Sequence, residues 1–332
     1  MKKHILFAAG LFPVLAVLGL FSCSTEDAIE RVFGSGGQPP VFLGCKAVAQ
    51  DEVAFRFSLP VKAVSVKFDP EMEVAGVEDG NVVTVTFGKN PGAGERVMAD
   101  ILVEDEKGNT LNVLVPFRTR NDRLPPLMIT ELRTEYSKPK AEFIEFKTLE
   151  AGNLGALRVF IAGNPKKPLV YEFSPVETGS GEFILLHLRT MEEGTADETG
   201  SDLDLSGGTD AVAGARDFWV SGTDKLLRKT DAVYFMDQDD RIIDAVLTSE
   251  KTGSWWAKEY FAQAAELLRS QGAWQSADGK TPGPEAAVIT EAVKTAMTRS
   301  VSRREGAPDT NTAADWYVTS TGGISPGKPN KP

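Results

Sequence analysis

The residues with the clearest potential for metal chemistry lie in an acidic segment in the second half of the chain. Asp202, Asp204 and Ser206 occupy alternate positions before a glycine, and Asp210 follows closely. Oxygen ligands with this spacing can converge on Ca²⁺, which takes about six to eight of them. Ala213 stands where a calcium loop has its bidentate glutamate. The pattern therefore favours a solvated acidic loop, with calcium binding as the alternative.

Histidine and cysteine are too scarce for most catalytic pairs. After residue 22 the chain has a single histidine, His187, whose apolar neighbours predict a buried strand and a structural role. Cys45 also has apolar neighbours, which are typical of a small buried hydrophobe. The sequence has no phosphate-binding loop, no Cys-x-x-Cys and no His-Glu-x-x-His. We expect no enzyme activity, and the alternative is a divalent-metal-dependent hydrolase that uses the acidic loop around Asp202 and Asp204.

The densest aromatic cluster is formed by Trp255, Trp256, Tyr260 and Phe261. Aromatic side chains anchor interfaces, so these residues are candidates for a surface that binds a protein or a glycan. A helix would also place them on an apolar face, although adjacent tryptophans on a helix point about 100° apart. The pattern favours burial of the cluster against the core. Partner binding by Trp255, Trp256 and Tyr260 is the alternative.

The chain begins with the pattern of a bacterial lipoprotein signal, which offers a different chemistry, acylation of a thiol. A basic start precedes an apolar run over residues 5–21, and Ser22 and Cys23 follow. The run is short for a spanning helix. We therefore predict a signal peptide over residues 1–22 and a lipid on Cys23. An ordinary signal peptide cut near Ser22, or a retained anchor helix, is the alternative.

The net charge limits the partners of the mature chain. It is −11 for the whole sequence, and removal of Lys2 and Lys3 takes it to −13. Phosphate backbones and anionic lipids repel such a protein, so we expect no nucleic-acid partner and a membrane contact through the N-terminal lipid. We expect a place in the cell envelope, on the periplasmic face or the cell surface. Ser24 follows the cysteine in place of an aspartate that retains some lipoproteins at the inner membrane, which favours the outer membrane.

The elements that position these residues are predicted to be strands. Residues 23–38 are polar and end in a glycine-rich stretch, which is typical of a flexible tether. Over residues 39–122, alternating runs such as 53–59 and 82–87 are separated by turn sequences, which predicts an immunoglobulin-like β-sandwich. The join at Arg123–Pro126 contains two prolines, whose restricted φ predicts a fairly fixed angle between two domains.

The second half of the chain has motifs at its start and at its end. Strand-like runs cover 127–132 and 141–146, a hairpin follows later, and the closing residues include Asp309–Trp316 and Ser325–Asn330. In this order the motifs resemble those of the lamin-tail domain of bacterial proteins, an Ig-fold β-sandwich. The resemblance extends over residues 127–330. It implies an interaction or membrane-associating module, and it transfers no ligand residues.

Two segments depart from the lamin-tail pattern. Residues 190–216 form an acidic, glycine-rich insertion. Residues 253–299 predict a helical hairpin, with a first helix that ends near Gly272 and a second over Glu285–Thr298. The sequence therefore predicts a mainly β protein of two β-sandwiches in series, with a helical hairpin inserted in the second. The expected function is a lipid-anchored, non-catalytic binding or envelope-scaffold module.

Overall fold

The computed structural model describes residues 38–331, and its architecture is mainly β, as predicted. Cys23 and the predicted tether up to residue 37 lie outside the described residues. Two β-sandwiches follow each other along the chain, and their hydrophobic cores draw on residues 53–117 and 127–316. Within residues 38–331, no helix has both the length and the apolar character of a membrane span.

The first sandwich is a six-stranded sheet that folds over on itself. Its strands are β1 (Phe42–Ala49), β2 (Glu52–Asp69), β3 (Val74–Glu78), β4 (Gly80–Phe87), β5 (Arg96–Asp105) and β6 (Thr110–Arg118). The first half of the long strand β2 pairs with β1 and β4, and its second half pairs with β5. Alternate side chains point inward, among them the fully buried Phe55, Ile101 and Val103.

The second sandwich packs two larger sheets over a shared core. Sheet I contains β7 (Leu127–Arg133), β8 (Phe143–Thr148), β13 (Phe183–His187), β14 (Arg216–Trp219), β18 (Val301–Arg303) and β19 (Trp316–Val318). Sheet II contains β10 (Arg158–Ile161), β11 (Leu169–Glu172), β15 (Asp231–Met236), β16 (Ile242–Ser249) and β17 (Val288–Ile289), and β9 (Gly152–Asn153) pairs with β12 (Glu177–Thr178). The strand orders are β14-β13-β8-β7-β18-β19 and β11-β10-β15-β16-β17. The Phe146 ring of sheet I meets Phe235 of sheet II edge to face at 4.9 Å.

The helical insertion contains one α-helix. The first predicted helix is present as α1 (Glu259–Ser270), and Phe261, Ala265 and Leu268 bury its apolar face. Gly272, with φ +74°, follows its end, as the sequence predicts.

The prediction of a second helix over Glu285–Thr298 is wrong. This segment is a 3₁₀ turn (Pro284–Ala286), then β17, then a second 3₁₀ turn (Glu291–Val293). Val288 pairs in parallel with Thr248 at the edge of β16. Pairing with an existing sheet edge satisfies backbone groups over a long sequence separation, and β-branched residues favour the extended conformation. Helical spacing in the local sequence carries no information about that partner.

The two sandwiches meet at the tip of the β15–β16 hairpin. Asp239 accepts two hydrogen bonds from the Arg120 guanidinium at 3.0 Å each and forms an ion pair with Lys46 at 2.8 Å. The side chain of Gln238 accepts a hydrogen bond from the backbone N–H of Asn121 at 2.7 Å. These contacts connect the hairpin tip to the first sandwich and to the segment that joins the two.

Two glycines bring the backbones of the two sandwiches into direct contact. Gly94 has φ +70°, and a Cβ atom at this position would lie 2.6 Å from the backbone of Gly155. Any other residue would require the loops to separate. The junction therefore has close backbone packing in addition to its ion pairs and its two prolines.

Candidate functional site

The polar residues of greatest chemical interest lie on the outer face of sheet I. On β8, Ile144 and Phe146 belong to the core between the sheets, and Glu145 points to the opposite face. A bulge in β7 after Ile129 places Glu131 directly opposite Glu145. The acidic insertion and the C-terminal segment (residues 319–331) contact this face, so that its charged residues are buried.

Glu131 and Glu145 form a pair of carboxylates with 0% exposure each. Burial raises the pKa of Glu131, while burial and the Glu131 charge together raise the pKa of Glu145 to about 8. Glu131 accepts hydrogen bonds from the hydroxyls of Ser300 at 2.5 Å and Ser302 at 3.0 Å, and Glu145 accepts one from Thr130 at 2.6 Å. Carboxyl pairs with raised pKa values serve acid–base chemistry where a substrate reaches them.

Here the C-terminal segment occupies the approach to both carboxylates. The backbone N–H of Ser325 donates to Glu131 at 3.2 Å, and that of Gly327 donates to Glu145 at 2.5 Å. The side-chain amide of Asn330 donates to two backbone carbonyls of sheet I at 2.8 and 3.0 Å. The carboxylates thus bind a segment of their own chain.

His187 lies at the end of β13 with 0% exposure, which confirms the prediction of a buried strand. Its Nε2 is 2.7 Å from Asp217 Oδ1, and its ring stacks on Trp219 with centroids 3.9 Å apart. Its Nδ1 is 3.8 Å from Asp210, which itself pairs with Arg133. In the described chain, neither ring nitrogen bonds to a hydroxyl or a thiol. This geometry positions the ring and offers no nucleophile for it to activate.

The acidic insertion, residues 190–216, packs along the edge of sheet I. Glu198 is fully buried and accepts hydrogen bonds from the backbone N–H groups of Ser206 at 3.0 Å and Asp217 at 2.8 Å. Arg216 donates back to the Glu198 carbonyl at 2.5 Å. The solvated loop expected around Asp202–Asp210 is exposed at Asp202 and Asp204 and buried at Ser206 and Asp210. Through Asp197 and Glu198 the insertion covers the outer strand β14, whose edge would otherwise be open to other chains.

Of the four candidate calcium ligands, two are buried and two are exposed. Asp210 and Ser206 are buried, and the Ser206 hydroxyl accepts a hydrogen bond from Trp219 Nε1 at 2.9 Å. Asp202 and Asp204 are exposed. The backbone N–H of Asp204 donates a hydrogen bond to Asp202 Oδ1 at 3.0 Å in a tight turn. Across residues 38–331, no group of three or more histidine, cysteine or acidic side chains has an arrangement that could hold a metal ion. Calcium binding therefore stays a prediction, with two of its ligands engaged elsewhere.

The aromatic cluster is also divided. Trp256 donates from Nε1 to the Pro282 carbonyl at 2.8 Å, and Tyr260 lies 4.6 Å from the Phe261 ring, so both pack against the core. Trp255 is 82% exposed. Of the three residues predicted to bind a partner, only Trp255 presents most of its surface to solvent. Partner binding by these residues stays a prediction.

The sequence reasoning missed the buried ionic contacts of sheet I. Arg303 is 5% exposed, donates to both oxygens of Asp244 at 2.8 and 2.9 Å, and stacks on the Trp316 ring at 4.6 Å. Asp244 and Glu145 each interrupt an apolar strand sequence. An acidic residue inside a strand whose neighbours are all apolar is the signal that could have indicated a buried, paired carboxylate.

Comparison with known proteins identifies the second sandwich. The family model TP_1001_2nd, described as protein second domain, matches residues 125–318. This chain belongs to that family. The match begins at the join and extends through β19. The chain is also 28% identical over 306 residues to an uncharacterized protein of Treponema pallidum (strain Nichols), an alignment that covers 90% of this chain and 77% of the relative. No solved structure matches the chain.

Proposed function

We propose that the protein is a lipid-anchored component of the bacterial cell envelope that acts as a non-catalytic binding or scaffold module. A lipid on Cys23 attaches the chain to the membrane, the first sandwich acts as a spacer, and the second presents the binding surface. The observation that carries this proposal is the burial of the acid–base residues of the second sandwich beneath two segments of the same chain.

A general acid or base must come within hydrogen-bond reach of its substrate. Glu131, Glu145 and His187 all have 0% exposure. The carboxylates bond to the C-terminal segment, and His187 lies among the contacts that hold the insertion. These groups therefore serve to attach irregular segments to sheet I, a role that requires no access for a substrate.

The N-terminal pattern supports the anchor. Each buried methylene contributes about 0.8 kcal/mol, so about two or three acyl chains attach a protein to a bilayer almost permanently. The mature charge of −13, from −11 for the whole chain less Lys2 and Lys3, gives no electrostatic attraction to anionic lipid. Attachment by acyl chains is the mechanism that suits this charge.

The lamin-tail resemblance supports the role of the second sandwich as an interaction module. The residues of its motifs, which are distant in sequence, contact one another in the fold. Glu131 and Glu145 of the two early strands bind the closing motif through Ser325 and Gly327, and Asn330 donates to the Arg303 carbonyl. These contacts join the motifs that carry the resemblance into one structural unit, which favours a lamin-tail-like domain.

The proposal is tested by labelling with radioactive palmitate in the wild type, in Cys23→Ala and in Cys45→Ala. Since Cys23 and Cys45 are the two cysteines of the chain, the second variant is a matched control. We expect label in the wild type and in Cys45→Ala, and none in Cys23→Ala. Equal labelling of Cys23→Ala and wild type would contradict the lipid anchor.

A further inference from the structure

The loops after β7, β10 and β14 lie together at the end of the second sandwich opposite the junction, beside the segments that follow β13 and β16. Strand β7 leaves the join at Leu127 and runs away from the first sandwich, so the loop that follows it lies at the far end. The same end contains the loop after β10 and the loop after β14. We call the three loops, residues 134–141, 162–168 and 220–230, the distal surface.

The three loops contact one another. The Arg228 guanidinium donates to the Gly163 carbonyl at 2.8 Å, which joins the second and third loops. Lys225 Nζ forms an ion pair with Glu135 at 3.2 Å, which joins the third loop to the first. The distal surface is therefore one continuous surface and not three separate loop tips.

The distal surface is basic in an otherwise acidic protein. It has seven cationic residues, Lys138, Lys140, Lys166, Lys167, Lys225, Arg228 and Lys229, and two acidic residues, Glu135 and Asp224. Among the described residues, only Lys225 and Lys229 of these cations form ion pairs. Unpaired like charges repel one another, and an anionic ligand would relieve that repulsion.

A pocket of about 160 Å³ lies between the second and third loops. Leu188, Val220 and Leu226 contribute apolar surface to its walls, while Lys167 and Asp224 line it as charged residues. A pocket of this kind takes one apolar side chain, and the ligand positions on the side away from Asp224 then lie beside Lys167 and its neighbour Lys166. Carboxylates flanking an aliphatic side chain match it, whereas a sulfated sugar has no such apolar group and the acyl chains of a phospholipid lie inside the bilayer, away from its phosphate.

A fixed aromatic residue adjoins these cations. Tyr136, 44% exposed, lies on the guanidinium of the buried Arg189 at 3.9 Å. Arg189 is fixed in turn by Glu142 at 2.5 Å, so the ring loses little freedom when a ligand binds. Tyrosines held in this way are common among the residues that dominate the binding energy of protein interfaces.

We propose that the distal surface docks an acidic segment of a partner protein, with an aliphatic side chain of that segment in the pocket and its carboxylates beside the unpaired lysines. This inference rests on the proposed function of the second sandwich as a binding module and specifies the chemistry of its partner.

The test uses the purified full-length chain in detergent and a fluorescent peptide of repeated Glu-Glu-Leu triplets, with binding followed by anisotropy. Lys166→Glu/Lys167→Glu reverses two charges of the distal surface. Lys67→Glu/Lys89→Glu makes the same change in charge at exposed positions of the first sandwich. We expect the first double variant to weaken binding about ten-fold or more and the second to leave it unchanged. A Glu-Glu-Ser peptide should bind more weakly than Glu-Glu-Leu.

Equal weakening by the two double variants would overturn the proposal, since it would mean general charge attraction. Failure of the peptide to bind, with retention of the protein by heparin or by anionic vesicles, would also overturn it in favour of a glycan or a lipid partner. Peptide binding does not depend on acylation. Failure here therefore leaves the palmitate result standing, and loss of the palmitate label does not affect this measurement.

Discussion

The two sandwiches bury different kinds of residue. In the first, the core is apolar, and Asp105 is the buried charged residue among strands β1 to β6. In the second, sheet I buries carboxylates and arginines on its outer face, including Glu131, Glu145 and Arg133, and Arg303 pairs with Asp244 between the two sheets. The core of the first sandwich is an apolar cluster without buried ion pairs among the described residues. The ionic residues of the second attach the irregular segments that cover sheet I, because a buried charge without its partner is strongly unfavourable.

The largest expected effect comes from removing one partner of a buried ion pair. Arg303→Met leaves Asp244 buried without its guanidinium, and we expect the free energy of unfolding to fall by about 3–5 kcal/mol. Urea unfolding monitored by tryptophan fluorescence measures this loss. The matched change in the first sandwich, Arg56→Met at an exposed position, should stay within about 0.5 kcal/mol. Equal losses in the two variants would remove the proposed difference between the sandwiches.

The second effect is a dependence on pH in the neutral range. Burial raises the pKa of Glu145 to about 8, from an ordinary value near 4.5. Because the folded-state pKa is raised, the contribution of this group is fully present below pH about 4.5 and is lost as the pH rises through about 8. We expect the wild type to lose on the order of 2 kcal/mol between pH 6 and pH 8 from this group alone.

Urea unfolding at the two pH values measures that loss, and Glu145→Gln, which cannot ionise, should reduce it. Burial also raises the pKa of Asp231 to about 7 and that of Asp244 to about 6. Ionisation of these groups also lowers the stability of the folded protein as the pH rises. Part of the pH dependence of unfolding should therefore persist in Glu145→Gln. An unchanged dependence in Glu145→Gln would show that this carboxyl is not the group that titrates.

The smallest of the three effects concerns the junction between the sandwiches. Gly94→Ala places a Cβ atom 2.6 Å from the backbone of Gly155 at φ +70°, and we expect a loss of about 1–2 kcal/mol. Gly214→Ala is the control, since Gly214 has φ +79° and nothing within 4 Å of its added Cβ. Small-angle scattering should show a changed relation between the sandwiches in Gly94→Ala alone. The same scattering curve for both variants would mean that this contact does not fix the junction.

The sequence was informative wherever a local pattern decides the structure. Alternation over residues 53–59 and 82–87 predicted parts of β2 and β4, and the apolar face before Gly272 predicted α1. Local patterns gave the wrong prediction where a partner distant in sequence determines the conformation. Val288 is extended because it pairs with Thr248. The Glu131–Glu145 pair depends on a bulge, on strand register and on a segment far along the chain, none of which spacing in the sequence reveals.

The hydrogen bonds of the C-terminal segment have a consequence for biosynthesis. They connect Ser325, Gly327 and Asn330 to residues of β7 and β8 that lie 194, 182 and 200 positions earlier. Strand β7 leaves the ribosome long before Asn330 is made. The second domain therefore reaches its final form only after synthesis has passed residue 330. A chain that stops before Ser325 leaves the carboxylates of Glu131 and Glu145 uncovered. Proteases that degrade incompletely folded proteins would cleave such a chain more readily.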